Sequence, residues 1–458
     1  MNMRYVWLVS LVAAMGGLLF GYDWVVIGGA KPFFEPYFRL ESEALRGWAN
    51  SCALLGCLGG AVVTGGLSDR FGRKRLLLLA ALLFALSSVL TGWAGSFQGF
   101  VIWRICGGVA IGMASTLSPL YIAEIAPAHA RGRLVALNQF TIVIGILAAQ
   151  VINWLIAEPM SDAATAETIR ASWNGQEGWR WMFTAVALPA AVFFVGSLAI
   201  PESPRWLVKN GRSEHARHVL AKIGGRTYAE GEVDNIQRTL AADEIGQVHF
   251  RDLLVPGVRR ILIVGIVLAV LQQWSGINVI FNYAEEIFRE AGYGVSAILF
   301  QIVITGIVNL VFTLVAIGTV DRFGRRWLML IGCAGIALFH SLIGAAYFFH
   351  WTGPVVVTLV LATIACYAFS LAPVTWVLIA ELFPNRIRGA AISVAVSALW
   401  IACFVLTYTF PALNSLLGAP GTFWLYAAIC AAGVVYIVVR VPETKGKSLE
   451  EIEKQLST

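Results

Sequence analysis

Runs of about twenty mostly apolar residues recur along this chain, separated by short polar connections. A helix needs about 20 such residues to cross a hydrocarbon core of about 30 Å. The pattern predicts spans at residues 5–31, 47–68, 76–95, 98–122, 134–157 and 179–200. After a longer polar stretch come 258–284, 295–320, 327–349, 354–380, 390–412 and 421–440. These runs are too long and alternate too little for the strands of a membrane barrel. The expected fold class is an all-α membrane protein of twelve transmembrane helices in two six-helix bundles, with cytoplasmic linker helices between them.

Composition agrees. The 458 residues are 58% hydrophobic and 13% charged, where soluble domains carry roughly a quarter charged. The first run outlasts a signal-peptide core and holds "FGYD" where a small-residue cleavage site belongs, so it is expected to remain a span. All seven cysteines fall in apolar spans without metal-ligand spacing, which points to packing and implies no metal and no cofactor.

The net charge of +6 is explained by its distribution. Connections after the even-numbered spans are basic: "DRFGRKR", Arg131 with Arg133, "DRFGRR" and "NRIRG". Connections after odd-numbered spans are poor in Lys and Arg: "AGSFQ" and "HWTG" have none, and residues 158–178 carry four acids against Arg170 alone. The positive-inside tendency then places both termini and the segment 202–257 in the cytoplasm. Charge arranged this way reflects a lipid bilayer, not a nucleic-acid partner. The expected organisation is an N-terminal bundle over 1–201, linker helices over 202–257, a C-terminal bundle over 258–441 and a cytoplasmic tail over 442–458.

The halves echo each other. "DRFGR" occurs at 69–73 and 321–325. Glu124, Pro127, Arg131 and Gly132 recur in register as Glu381, Pro384, Arg388 and Gly389, and "PESPRW" at 201–206 has its counterpart in "PETKGK" at 442–447. Parallel repeats with a substrate near the midplane are a transporter architecture. The repeated charges sit at cytoplasmic helix ends, where Asp69, Arg73, Glu124, Arg131 and Glu202, with Asp321, Arg325, Glu381, Arg388 and Glu443, can pair as a latch. The alternative is that the arginines only set topology.

Together "GGLSDRFGRKR", "RGR", "PESPRW", "QQWSGIN", "VDRFGRR", "ELFPNRIRG" and "PETKGKSLEEIE" resemble the sugar porter family of the major facilitator superfamily, and within it the bacterial D-xylose/proton symporters. The resemblance runs over essentially the full length. It implies the major facilitator fold and sugar transport across a bacterial inner membrane, by a chain that works as a monomer.

Two charges stand inside the predicted spans and away from their ends, Asp23 in the first and Arg104 in the fourth. At 1.5 Å per residue Asp23 lies about 27 Å above the cytoplasmic end of its span, and Arg104 about 9 Å below the outer end of its own. Both fall in the outer half, where an isolated ion is costly and pairing is expected. Pairing favours ionised Asp23; if the contact loosens in one conformation, the acid takes a proton. The resemblance implies the same coupling role, because proton-coupled members keep an acid in "GYD". A permanent structural pair is the alternative reading.

A sugar needs amides for its hydroxyls and an aromatic face for its ring. The seventh span supplies Gln272, Gln273, Asn278 and Asn282 within eleven residues. On a regular helix Gln273 and Asn278 point about 140° apart, so unwinding at Ser275–Gly276 is needed to bring them to one cavity. The resemblance implies sugar contacts at Gln139, Gln272, Gln273, Asn278, Asn309 and Trp376. Phe20 and the Trp24 neighbourhood are candidates to line the cavity. Interhelical hydrogen bonding is the competing reading for single amides. Three positions depart from the family pattern: Leu399 stands before Trp400 where a glutamine is usual, Asn282 replaces a tyrosine, and Val186 replaces a glutamate. Pro373 and Pro384 flank the inner half of the tenth span and favour bending there.

Four functions compete for this sequence: proton–sugar symport, facilitated sugar diffusion with a purely structural Asp23–Arg104 pair, sugar sensing, and enzymatic activity. Sensing needs a longer cytoplasmic extension than "PETKGKSLEEIEKQLST". Enzyme motifs such as a Walker loop, a nucleophile elbow or HExxH are absent. The six histidines do not cluster; His340, in the ninth span, is the only candidate for a secondary proton group.

Overall fold

The computed structural model describes residues 1–161, 164–245, 255–383 and 388–443. Among them there is helix and no strand. The first half holds α1 (Met3–Phe38), α2 (Glu43–Phe71), α3 (Arg73–Gly92), α4 (Phe97–Ile125) and α5 (Arg131–Ile156). A short α6 (Ala166–Ala171) and a π-helical turn at Asn174–Gly178 lead into α7 (Trp179–Thr184) and α8 (Ala187–Ala199), which together make the sixth crossing. Three polar helices follow: α9 (Pro204–Lys209), α10 (Ser213–Gly224) and α11 (Arg226–Ile245). The breaks between them fall at the "NG" and "GG" dipeptides, where Gly211 (φ +73°) and Gly225 (φ +84°) take left-handed backbone.

The second half comprises α12 (Pro256–Trp274), α13 (Ile277–Asn282), α14 (Ala284–Glu290), α15 (Val295–Phe323), α16 (Arg325–Phe348), α17 (Pro354–Phe369), α18 (Leu371–Leu382) and α19 (Arg388–Arg440). The described helices include eleven segments long and apolar enough to cross a membrane. The last of these, at 51 residues, would be about 77 Å long if straight. It is folded at Gly418 (φ +67°) beside Pro420 and so supplies two crossings, the predicted eleventh and twelfth.

Close packing in the first half comes from glycines spaced four apart. A Cβ at Gly56 would lie 2.1 Å from the Ile105 carbonyl oxygen, and one at Gly60 2.3 Å from that of Val109. From the other side, Gly108 and Gly112 of α4 press on the carbonyls of Ala53 and Cys57. Without a hydrophobic drive between helices in lipid, such small-residue faces let backbones approach and gain dispersion contact.

The first span is longer than expected. The apolar run predicts an end at 31, yet α1 continues to Phe38. Phe33 and Phe34 are fully buried, Phe34 packs 5.0 Å from the Phe100 ring, and Phe38 lies 5.5 Å from Trp179. This aromatic cluster carries the helix past Lys31, so Lys31 too is buried inside the bundle, about 12 Å along α1 from Asp23.

Two spans are interrupted. The seventh breaks at Gly276 (φ +84°), between α12 and α13. The tenth breaks at Ser370 (φ −128°, ψ −84°), between α17 and α18. Pro373 lies three residues beyond that break and cannot donate to Phe369, so the ladder is already open there.

Candidate functional site

Asp23 on α1 and Arg104 on α4 meet, as their depths required. Arg104 Nη1 donates to Asp23 Oδ1 at 3.1 Å, with both side chains about 95% buried. The pair is held by a single hydrogen bond. Asp23 Oδ2 and Arg104 Nε have no hydrogen-bond partner among the described residues, so this is not the two-pronged geometry that makes arginine–carboxylate contacts strong. The guanidinium also lies 5.4 Å from the Phe183 ring. Beside it is a cavity of about 10 Å³, lined in part by Trp24, Asn50, Cys57 and Asn282.

The break at Gly276 turns Gln273 and Asn278 together. Asn278 Nδ2 donates to Gln273 Oε1, and Gln273 Nε2 donates to Gln272 Oε1 at 3.2 Å. Gln272 Nε2 in turn reaches the Leu371 carbonyl at 3.3 Å, at the broken tenth span. The two interruptions thus share one amide chain. Asn309 is buried and Gln139 half-buried, neither hydrogen-bonded into that chain among the described residues, and Trp376 is 39% exposed on α18. Asn282 sits apart from the three amides, at the small cavity near Arg104. Phe20, Trp24 and Trp400 form a triangle with ring centroids 5.9–6.1 Å apart, joining α1 to α19.

His340 is fully buried on α16, and its Nε2 lies 2.8 Å from the Ser275 carbonyl. That carbonyl is at the helix break, so Nε2 carries the proton and donates. The ring is engaged in structure, which argues against the secondary proton role. His340→Phe, which fills the space without the N–H, is expected to lower stability by roughly 1–3 kcal/mol. Thermal unfolding in detergent measures this, and His340→Gln should recover part of the loss.

At the basic end Arg73 makes the expected network in the first half. Its Nε and Nη2 each donate to Glu124 at 3.0 Å, and Nη1 reaches Asp69 at 3.1 Å. Arg131 is exposed at the start of α5, while Glu124 is occupied by Arg73 and Ser203. Glu202 has a role that the motif did not suggest. Its carboxylate accepts from the backbone N–H groups of Arg73 and Lys74 at 2.9 and 3.1 Å. Glu443 does the same for Arg325 and Arg326 at 3.0 and 3.2 Å. Each glutamate therefore caps a helix N-terminus from a distant part of the chain. Of the other expected latch groups, the Asp321, Glu381 and Arg388 side chains lie outside the described residues.

The halves touch near the turn between α1 and α2. A Cβ at Gly28 would sit 2.5 Å from the Phe281 carbonyl oxygen, and one at Gly47 2.3 Å from that of Tyr408. Gln150 reaches Thr305 at 3.4 Å, Trp154 packs 5.8 Å from Phe300, and the Met160 N–H donates to Ser296 at 2.9 Å. Along the same row of α2 toward the basic end, Val62 is 54% exposed and Gly65 meets nothing within 4 Å.

Residues 9–456 match the family model described as "Sugar (and other) transporter". The D-xylose-proton symporter of Escherichia coli (strain K12) is 40% identical, with 99% of this chain and 96% of that protein aligned. The arabinose-proton symporter of Bacillus subtilis (strain 168) is 39% identical over 99% of this chain and 95% of its own. The inward open conformation of the xylose transporter XylE from E. coli superposes with a TM-score of 0.86 at 37% identity, covering 98% of this chain and all of that one.

Proposed function

Because the chain belongs to the sugar transporter family, we propose that it carries a monosaccharide, a pentose or hexose of the xylose kind, together with a proton by alternating access. The observation that carries this reading is the Asp23–Arg104 pair. It is buried, joined by one hydrogen bond, and next to a small cavity. A carboxylate so loosely held can exchange its guanidinium partner for a proton when the helices shift.

In this reading two six-helix units, 1–201 and 258–441, rock about the site, with 202–257 and the tail 442–458 on the cytoplasmic side of a bacterial inner membrane. The basic end is inner, so the contacts near Gly28 and Gly47 close the outer side. The amide chain of Gln272, Gln273 and Asn278 binds the sugar hydroxyls, with Gln139, Asn309 and Trp376 completing the site from the open side. Phe20, Trp24 and Trp400 lie over it toward the closed end. One chain suffices, and no covalent chemistry is involved.

Counterflow of labelled sugars in proteoliposomes, repeated with an imposed pH difference, tests the reading. Symport requires that the sugar accumulate on the alkaline side. Equal levels on both sides would leave a facilitative uniporter with a structural ion pair. Gln273→Ala removes one amide and deprives Asn278 of its acceptor. It is expected to raise the half-saturating sugar concentration roughly tenfold, about the worth of one such hydrogen bond.

A further inference from the structure

Lys31 lies two turns beyond Asp23 on α1 and has no exposed surface. A buried ammonium is tolerated where carboxylates and other polar groups replace its water. Glu286 of α14 contacts it directly, Glu35 of α1 is 3.8 Å away, and the Tyr283 ring centroid is 4.3 Å from Nζ. Glu35 also faces Arg46 at 3.8 Å and accepts from Asn50 at 3.4 Å, both on α2. Next to Glu286, Glu285 pairs with Arg289. Lys31 and Glu286 thus come from different halves of the chain. One turn before Lys31, Gly28 brings α1 against the backbone of α13.

We propose that Lys31 and Glu286 form a charged clasp that holds the outer end shut and opens once in every transport cycle. The inference rests on the alternating-access reading above. When the halves part, Lys31 keeps Glu35 one turn along its own helix, and the Glu286 carboxylate, already 30% exposed, passes to water. A buried ion pair returns little net energy, because desolvation offsets most of the attraction. That makes the contact suited to reversible closure, where a dry apolar seam of equal size would resist opening.

The two partners are not equivalent. Lys31 is fully buried, whereas the Glu286 side chain is 30% exposed. Removing Glu286 leaves an ammonium in the closed seam with Glu35 as its remaining close carboxylate. Removing Lys31 leaves a carboxylate that water already reaches. Loss of Glu286 should therefore favour the open outer end more strongly than loss of Lys31.

Cys57 lines the small cavity beneath the seam and is fully buried in the closed form. Its modification by a membrane-impermeant thiol reagent added from the outer side, resolved by peptide mass spectrometry in sealed vesicles, reports opening. Glu286→Gln is expected to speed labelling roughly tenfold, and Lys31→Met roughly threefold. The charge exchange Lys31→Glu with Glu286→Lys should return labelling toward the native rate. Native labelling rates in both single variants would overturn the clasp. Sugar counterflow in the same vesicles separates the two ideas. Native protein without counterflow, but with labelling that responds to Glu286→Gln, removes the transport reading and leaves the pair as a closure of the outer end alone. Native counterflow with unresponsive labelling removes the clasp alone.

Discussion

Asp23→Asn is expected to abolish uphill sugar accumulation while leaving exchange of labelled for unlabelled sugar within about threefold of native. Asparagine has nearly the shape of aspartate, and its carbonyl oxygen can still accept from Arg104 Nη1, now 3.1 Å from Asp23 Oδ1. The site therefore keeps its geometry but loses the group that alternates between charge and proton. Exchange needs only binding and reorientation of the loaded carrier, so it survives. Accumulation needs the proton gradient to act on a titrating group, so it does not. Vesicles loaded with a pH difference measure the first quantity, and vesicles preloaded with unlabelled sugar measure the second. Full accumulation by the variant would place coupling elsewhere. Val186, apolar and buried where a family glutamate is expected, offers no substitute acid in that position.

The second large effect concerns stability. Arg73→Leu is expected to cost about 3–5 kcal/mol, because it leaves the Glu124 carboxylate buried and ionised without its guanidinium. Arg73 and Glu124 side chains are 7% and 6% exposed and share two hydrogen bonds at 3.0 Å. Arg73 Nη1 also satisfies the Ser68 carbonyl at 2.9 Å. The double variant Arg73→Leu with Glu124→Leu removes both charges and should recover most of the loss. Thermal unfolding in detergent gives both values. A double variant no more stable than the single one would show that the carboxylate is not the source of the penalty.

The crossings were legible because apolar length is a coarse and robust signal, and the ion pair because helical rise converts residue number into depth. The Gly276 break followed from the need to face Gln273 toward Asn278. Lys31 escaped for an instructive reason. A charge at the end of an apolar run marks the run's boundary, so Lys31 was itself what ended the first predicted span. Only the aromatic packing of Phe34 and Phe38, contributed by α4 and α7, carries the helix onward. Glu202 and Glu443 were visible as repeated letters but not as caps, since the amides they bind lie 128 and 117 positions away at Lys74 and Arg326. The small cavity and the partnerless Oδ2 of Asp23 are products of three-dimensional fit and have no linear signature.

Those two caps give the molecule a mechanical property. Glu202 stitches the chain leaving α8 to the first amides of α3, and Glu443 stitches the chain leaving α19 to those of α16. Each stitch turns a run of helices into a closed hoop, so a tug on the chain past either glutamate is borne at a helix end and does not peel the final helix away. A fluorescent protein fused beyond Glu443 would hang from a finished hoop, whereas a cut just ahead of Glu202 would unfasten one.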